Sequence, residues 1–222
     1  MLAAHTVVVT GAGQGNGAAL AEGLAAQGAH VLATDIRGDA ARATAERIHA
    51  AGGSAGWLAL DVADAAACNA AAAGLQLAAG HKLVLVNNAG IRPRHAFDSD
   101  TRDAAWRDAM SVNVDGVRHM MLAFRALLAA SGGNVVNIGS ISASRASPGS
   151  VAYSTSKAAA EMLTRVMALE LAAEGIRVNA VAPGVMETPM TEESRNNPER
   201  RDYLFRRIPL QRFGRPEELV GP

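Results

Sequence analysis

Short runs of β-branched residues and leucine recur along the chain, each bounded by glycine or polar positions: residues 6–10 (TVVVT), 30–34 (HVLAT), 56–60 (GWLAL), 82–86 (KLVLV), 134–138 (NVVNI) and 176–182 (IRVNAVA). Apolar runs of this length and type predict strands. Between them lie longer stretches whose apolar positions recur at helical spacing, over 17–27, 39–51, 64–79, 106–130 and 151–174, and these predict helices. Alternating strand and helix makes sequential strands parallel, and right-handed crossovers then cover both sheet faces with helices. The pattern predicts an α/β fold, a doubly wound parallel sheet in three αβα layers, forming one domain over residues 1–222. Ligand sites in such a sheet lie beyond the carboxyl ends of the strands. Residues 186–207 break the alternation: they are polar, charged and interrupted by Pro189 and Pro198, which predicts a mobile excursion serving as a substrate lid.

Composition narrows the function. With 49% hydrophobic and 19% charged residues over 222 positions, the chain can bury a full core, which argues against disorder. A formal net charge of zero leaves no broad positive field, so neither nucleic acid nor an anionic membrane surface is an expected partner. The first residues lack a basic stretch followed by a cleavable apolar one. The alanine-rich stretch 65–79 is interrupted by Asn69 and Gln76 and reads as a helix rather than a membrane span. Cys68 is the single cysteine, which excludes an internal disulfide and fits a small apolar residue in a reducing compartment, so a cytoplasmic protein is expected. The six histidines show no paired ligand spacing, and no metal site is expected.

Directly after the first predicted strand comes Thr10-Gly11-Ala12-Gly13-Gln14-Gly15-Asn16-Gly17, opening a helix. Glycines at a helix start let backbone N–H groups approach a pyrophosphate at the positive end of the helix, the mark of a Rossmann-type nucleotide site. The spacing is not the strict G-x-G-x-x-G, and a glycine-rich turn is often only a turn. Asp35 ends the second strand, where an acidic group binds adenosine ribose hydroxyls and repels a 2′-phosphate. This places NAD ahead of NADP, although Arg37 could swing in to pair with a phosphate. Asp61, ending the third strand, has a similar reading on the adenine side.

Tyr153 and Lys157 lie four residues apart at the start of a predicted helix, on one face. A free phenol titrates near ~10 and transfers protons poorly at neutral pH unless a nearby cation stabilises the phenolate, which Lys157 can do. Alone, such a pair is as well explained by an amphipathic surface. Ser140, just after the fifth strand, reaches the same crevice and can hold a substrate oxygen against the tyrosine. A Ser-His-Asp hydrolase is the rival, but no G-x-S-x-G elbow surrounds a serine and no histidine follows His119.

These residues together resemble a classical short-chain dehydrogenase/reductase along the whole chain: TGAGQGNG at 10–17, Asp61 with Val62, the Asn87-Asn88-Ala89-Gly90 turn, Asn113, Ser140, Tyr153 with Lys157, and Pro183-Gly184 followed by Thr188. The resemblance implies a nicotinamide-dependent oxidoreductase interconverting a secondary alcohol and a ketone. Tyr153 is then the acid/base, and Lys157 lowers its pKa and binds the nicotinamide ribose. Ser140 orients the reacting oxygen, and Asn113 kinks its helix and anchors a water linked to Lys157. The resemblance implies cofactor contacts at Gly11, Gln14, Gly15, Asn16, Gly17, Asp35, Ile36, Asp61, Val62, Asn87, Ala89, Gly90, Tyr153, Lys157, Pro183, Gly184, Val185 and Thr188. It also implies a homodimer or homotetramer, given a complete carboxyl end, through helices 106–130 and 151–174. Two departures stand out. Asn16 replaces an apolar residue of the motif, and the chain ends at Pro222, where the family continues past a segment like 214–219 (GRPEEL) into a last strand. A truncated carboxyl end and a missing edge strand are therefore expected.

Substrate contacts are expected from 91–97, 142–148 and the lid. Arg92, Arg94 and His95 resemble the corresponding loop of some sugar-acid dehydrogenases, and Arg145 adds a cation; these arginines read first as solvated surface charges, and a polyol or sugar-acid substrate is the hypothesis set beside that reading. Two rival functions remain: an NADP-linked 3-oxoacyl reductase, against which Asp35 argues, and a non-catalytic dinucleotide-sensing protein, which needs no proton-transfer set.

Overall fold

The computed structural model describes residues 2–222. Among them, β1 (His5–Thr10), β2 (His30–Asp35), β3 (Ser54–Ala59), β4 (Lys82–Asn87), β5 (Asn134–Ile138) and β6 (Arg177–Val181) form one sheet in the order β3-β2-β1-β4-β5-β6. Every pairing is parallel. The chain reverses direction of travel across the sheet between β1 and β4, and the crevice beyond these two strands is the switch point where such folds bind ligands.

Helices α1 (Gly15–Ala26), α2 (Gly38–Ala50), α3 (Ala65–Gly74), α4 (Arg102–Met110), α5 (Gly116–Ser131) and α6 (Val151–Glu170) form the outer layers. Alternation along β1 divides the core. Val7 and Val9 pack with Leu20 of α1 and Ile48 of α2, while Val8 faces Phe124 and Leu128 of α5 and Cys68 of α3. β1 is apolar on both faces because it is covered on both.

Three elements differ from the sequence pattern. The helix expected over 64–79 ends at Gly74; Leu75 is extended, and Leu75 and Leu77, two apart, pack along the core in that conformation. Their alternation fits an extended segment, not a continued helix. The helix expected over 106–130 starts earlier, at Arg102, and is interrupted by a π turn at Ser111–Asp115. The excursion at 186–207 is built rather than irregular: a 3₁₀ turn (Pro189–Thr191), α7 (Glu192–Asn196) and α8 (Pro198–Phe205). Pro189 and Pro198 open helical turns there, where a missing N–H costs nothing. β6 is the outer strand of the sheet among the described residues, with Arg177, Asn179 and Ala180 exposed.

Candidate active site

The turn after β1 is held against the turn after β4. Asn88 Nδ2 donates to the carbonyls of Thr10 (2.9 Å) and Gly11 (3.1 Å). In return, Thr10 Oγ1 accepts the N–H groups of Asn88 and Ala89, both at 3.0 Å. Gly11 sits at φ +63, and a Cβ there would lie 2.9 Å from Ala89 Cα. At Gly17 a Cβ would fall 2.0 Å from the Gly11 carbonyl oxygen, so only glycine lets α1 begin this close to the strand. Asn16 Oδ1 and Asn87 Oδ1 are buried without a partner at this cradle. A backbone cradle at a helix start fits a pyrophosphate, and the two unengaged amide oxygens, which only accept, fit donors such as the ribose hydroxyls of a dinucleotide.

Asp35 is buried at the end of β2, where its Oδ2 accepts from Gly13 N (2.9 Å) and its Oδ1 from Arg37 N (3.0 Å). The Arg37 Nε is 3.7 Å from Oδ1. Ile36 beside it is 68% exposed. Asp61 Oδ1 accepts from Ala63 N (2.9 Å), and Val62 is buried beneath α5 against Gly116. Thr188 is buried, with its methyl 3.2 Å from where a Gly15 Cβ would stand, so the start of the excursion abuts the cradle. Pro183 and Gly184 follow β6 beside the exit of β5, where Ile141 N donates to the Pro183 carbonyl at 3.1 Å. Val185 is tied to Gly214 by a 3.0 Å bond from the Gly214 N–H.

One stripe of α6, comprising Tyr153, Ser156, Lys157, Ala160 and Thr164, is buried against the sheet. The intervals of three and four place tyrosine and lysine on that single face. Lys157 Nζ donates to the Ile138 carbonyl at 2.7 Å, and burial pushes the ammonium down to about 8. Ser140, also buried, follows β5, and its hydroxyl accepts from Ser142 N at 3.1 Å. A Cβ on Gly90 would stand 3.1 Å from Asn113 Oδ1 and 3.5 Å from Lys157 Nζ, so the β4 turn, the π turn and α6 converge at one point.

Asn113 lies in the π turn, 1% exposed. Its side chain is engaged throughout: Oδ1 accepts from Ile91 N (2.8 Å), while Nδ2 donates to Ile91 O (2.9 Å) and Ser156 Oγ (2.9 Å). Ser156 Oγ in turn donates to the Tyr153 carbonyl at 2.8 Å. The interruption of the helix and the anchoring of the Ile91 loop to α6 are thus one device.

Some residues at the site went unassigned in the sequence. Thr10 opens the glycine motif and Ser156 lies between Tyr153 and Lys157, yet their clamping roles need the fold to be visible. Beneath the site Asn87 Nδ2 donates to Asn137 Oδ1 (2.8 Å), and Asn137 Nδ2 donates to Thr164 Oγ1 (2.9 Å). The signal for that chain was an asparagine inside each of two otherwise apolar strands.

Known proteins resemble this chain in sequence and in fold. Residues 5–199 match the model of the short chain dehydrogenase family. The chain is 40% identical over 217 residues to galactitol 2-dehydrogenase (L-tagatose-forming) of Cereibacter sphaeroides, covering 96% of this chain and 84% of that one. It is 35% identical over 221 residues to 5-keto-D-gluconate 5-reductase of Escherichia coli, covering 99% and 87%. A solved gluconate 5-dehydrogenase from Burkholderia cenocepacia, in complex with NADP and tartrate, matches with a TM-score of 0.91 at 34% identity, covering 98% of this chain and 85% of that one. The chain belongs to the short chain dehydrogenase family and is an NAD(P)-dependent oxidoreductase of alcohols and ketones. Among the described residues, no helix is long and apolar enough to cross a membrane, and no cluster of potential ligands could hold a metal ion.

Proposed function

We propose that the chain interconverts a secondary alcohol and a ketone on a small polyhydroxylated molecule, a polyol or sugar acid, with Tyr153 as the proton-transfer group. The observation that supports this reading is that Tyr153, Lys157, Ser140 and Asn113 are all buried, with Lys157 and Asn113 meeting at Gly90 in the turn clamped to the glycine cradle. Ser140 holds the reacting oxygen, and the Tyr153 oxygen takes the hydroxyl proton during oxidation or returns it during reduction. Lys157 keeps a positive charge one helical turn away, and Asn113 holds the Ile91 loop and Ser156 in register beside them. A nicotinamide held in the cradle would supply the hydride exchange with the carbon that bears this oxygen.

Gly11, Gln14, Gly15, Asn16 and Gly17 would hold the pyrophosphate; Asp35, Ile36, Asp61 and Val62 the adenosine; Asn87, Ala89, Gly90, Tyr153 and Lys157 the nicotinamide ribose; Pro183, Gly184, Val185 and Thr188 the carboxamide. The placing of NAD ahead of NADP is corrected, since the gluconate 5-dehydrogenase relative holds NADP. Both Asp35 oxygens are already engaged by backbone N–H groups, and Arg37 stands alongside to meet a 2′-phosphate, so NADP is accepted. Leu122 on α5 and Met162, Val166 and Leu169 on α6 are exposed apolar residues, suited to pairing with a second copy of the chain. Cys68, the single cysteine of the chain, suits a reducing cytoplasm.

A panel of alditols, aldonates and their ketones, assayed with both nucleotides, tests the reading. Turnover should appear with a polyhydroxylated alcohol, and Tyr153→Phe should lower kcat by about 10²- to 10⁴-fold while cofactor binding persists. Arg37→Ala should weaken use of NADP alone. Cofactor binding without turnover of any alcohol or ketone would favour the dinucleotide sensor, and turnover of 3-oxoacyl thioesters alone would favour the reductase.

A further inference from the structure

Four polar groups on the start of α6 and the loop packed against it are buried without partners: Arg92 Nε, His95 Nε2, Ser150 Oγ and Ser154 Oγ. Ser150 occupies the N-cap of α6, where a serine hydroxyl ordinarily accepts from the first helical N–H groups, yet it makes no such bond and is 2% exposed. His95 is 8% exposed, and its Nδ1 faces the Ala96 carbonyl at 2.9 Å. A carbonyl only accepts, so Nδ1 carries the hydrogen and Nε2 is left as an acceptor. The His95 carbonyl lies 3.7 Å from where a Gly149 Cβ would stand, which brings this loop onto the residue preceding Ser150. The Arg92 guanidinium carbon stands 5.5 Å from the Tyr153 ring centre.

We propose that Arg92, His95 and Ser150 form a subsite for the part of the substrate beyond the reacting carbon, and that its occupant is a sugar acid, with Arg92 on the carboxylate and His95 and Ser150 on adjoining hydroxyls. The chemistry follows from the donor set: one cation, one acceptor and one hydroxyl that both donates and accepts match a carboxylate flanked by hydroxyls. Unpaired buried polar groups in native proteins call for a partner, and here the partner is the ligand. Burial and the neighbouring Arg94 both hold the Arg92 guanidinium below its ordinary range, as befits a cation short of counter-charge. Arg94 is differently placed. Its Nη2 donates to Ser194 Oγ (2.5 Å), and its Nε is 4.0 Å from Glu193, which ties the loop to α7. Arg94 is therefore a lid latch and Arg92 the substrate cation.

This proposal rests on the alcohol–ketone reading and has its own test. The ratio of kcat/KM for a six-carbon aldonate to that for the matching alditol is measured in the wild type, Arg92→Gln, Arg92→Lys and Arg94→Ala. The wild type should favour the aldonate. Arg92→Gln should lower the ratio by about ten- to a hundredfold, the worth of a hydrogen bond between charged groups, mostly through KM of the aldonate. Arg92→Lys should recover part of it, and Arg94→Ala should slow both substrates without moving the ratio. A wild type indifferent to charge, or a ratio that follows Arg94 and not Arg92, overturns the subsite and leaves the reaction class standing. Absence of turnover with every alcohol defeats the reaction class instead.

Discussion

The Lys157 ammonium donates a 2.7 Å hydrogen bond to the main-chain carbonyl of Ile138, the last residue of β5. An ammonium has three donors, so anchoring one to the sheet fixes the direction of the other two. The lysine is thus held by the backbone in its working position.

That anchoring has an energetic cost that can be measured. Burial brings Lys157 from its ordinary 10.5 to about 8, so between these pH values the unfolded chain binds a proton the folded chain has released. Stability therefore rises with pH across that window, and below it the fold carries a penalty of roughly 3 kcal/mol. Lys157→Met removes the penalty and loses about 1 kcal/mol of hydrogen bond. Denaturant titrations should find the variant more stable than the wild type at neutral pH, converging above about pH 11, with turnover abolished. A variant less stable at pH 7 contradicts the buried charge.

Asn113→Ala removes three hydrogen bonds from a side chain that is 1% exposed. Stripping buried groups of their partners should cost about 2–4 kcal/mol, seen as a lower melting temperature. Because Ile91 precedes Arg92, hydrogen exchange at residues 91–95 should accelerate more than in α2. Uniform acceleration would show that Asn113 is merely a stability residue.

Gly17→Ala places a methyl where only 2.0 Å separates it from the Gly11 carbonyl oxygen. The start of α1 must withdraw. Fluorescence titration with reduced cofactor should show binding weakened at least about tenfold, the cost of losing one good backbone contact to a charged group. Gly52→Ala makes a useful contrast, since nothing lies within 4 Å of that position although φ is +81; it should change stability and spare binding.

At the amino edge of the sheet, His30 Nδ1 lies 2.8 Å from Ser54 Oγ. Burial, then His81 and His49, hold its imidazole below the ordinary 6.5. As pH falls through 6.5 the unfolded chain takes up the proton first, so stability declines until the folded imidazole also titrates. Melting temperatures between about pH 5 and pH 7.5 should fall toward acid, and His30→Gln should flatten that slope; an unchanged slope would assign the acid sensitivity elsewhere.

The strands were legible because each is a short apolar run between breakers, and doubly covered strands carry no competing pattern. The glycine cradle and the Tyr153–Lys157 spacing were legible for a related reason: their chemistry depends on residues close in sequence. What escaped depends on distant partners. The π turn at Ser111–Asp115 has no periodic signature of its own and exists because Asn113 reaches Ile91 and Ser156. Leu75 and Leu77 looked helical after a run of alanines until the core on which they lie was known. The prolines of 186–207 were read as interruptions, although at Pro189 and Pro198 they begin helical turns. Arg92 read first as a solvated arginine, because only the fold lays it over the Tyr153 ring.

The mutual clamp of Thr10 and Asn88 welds the turns after β1 and β4 into a single rigid plate. Loops 91–97 and 186–207 are both tied to that plate: Asn113 joins Ile91 to Ser156 of α6, and Thr188 abuts Gly15. Substrate preference and the chemical step are thereby coupled, and grafting both loops onto another scaffold with the same clamp should transfer preference at full rate only when Asn113 and Ser156 are carried over with them.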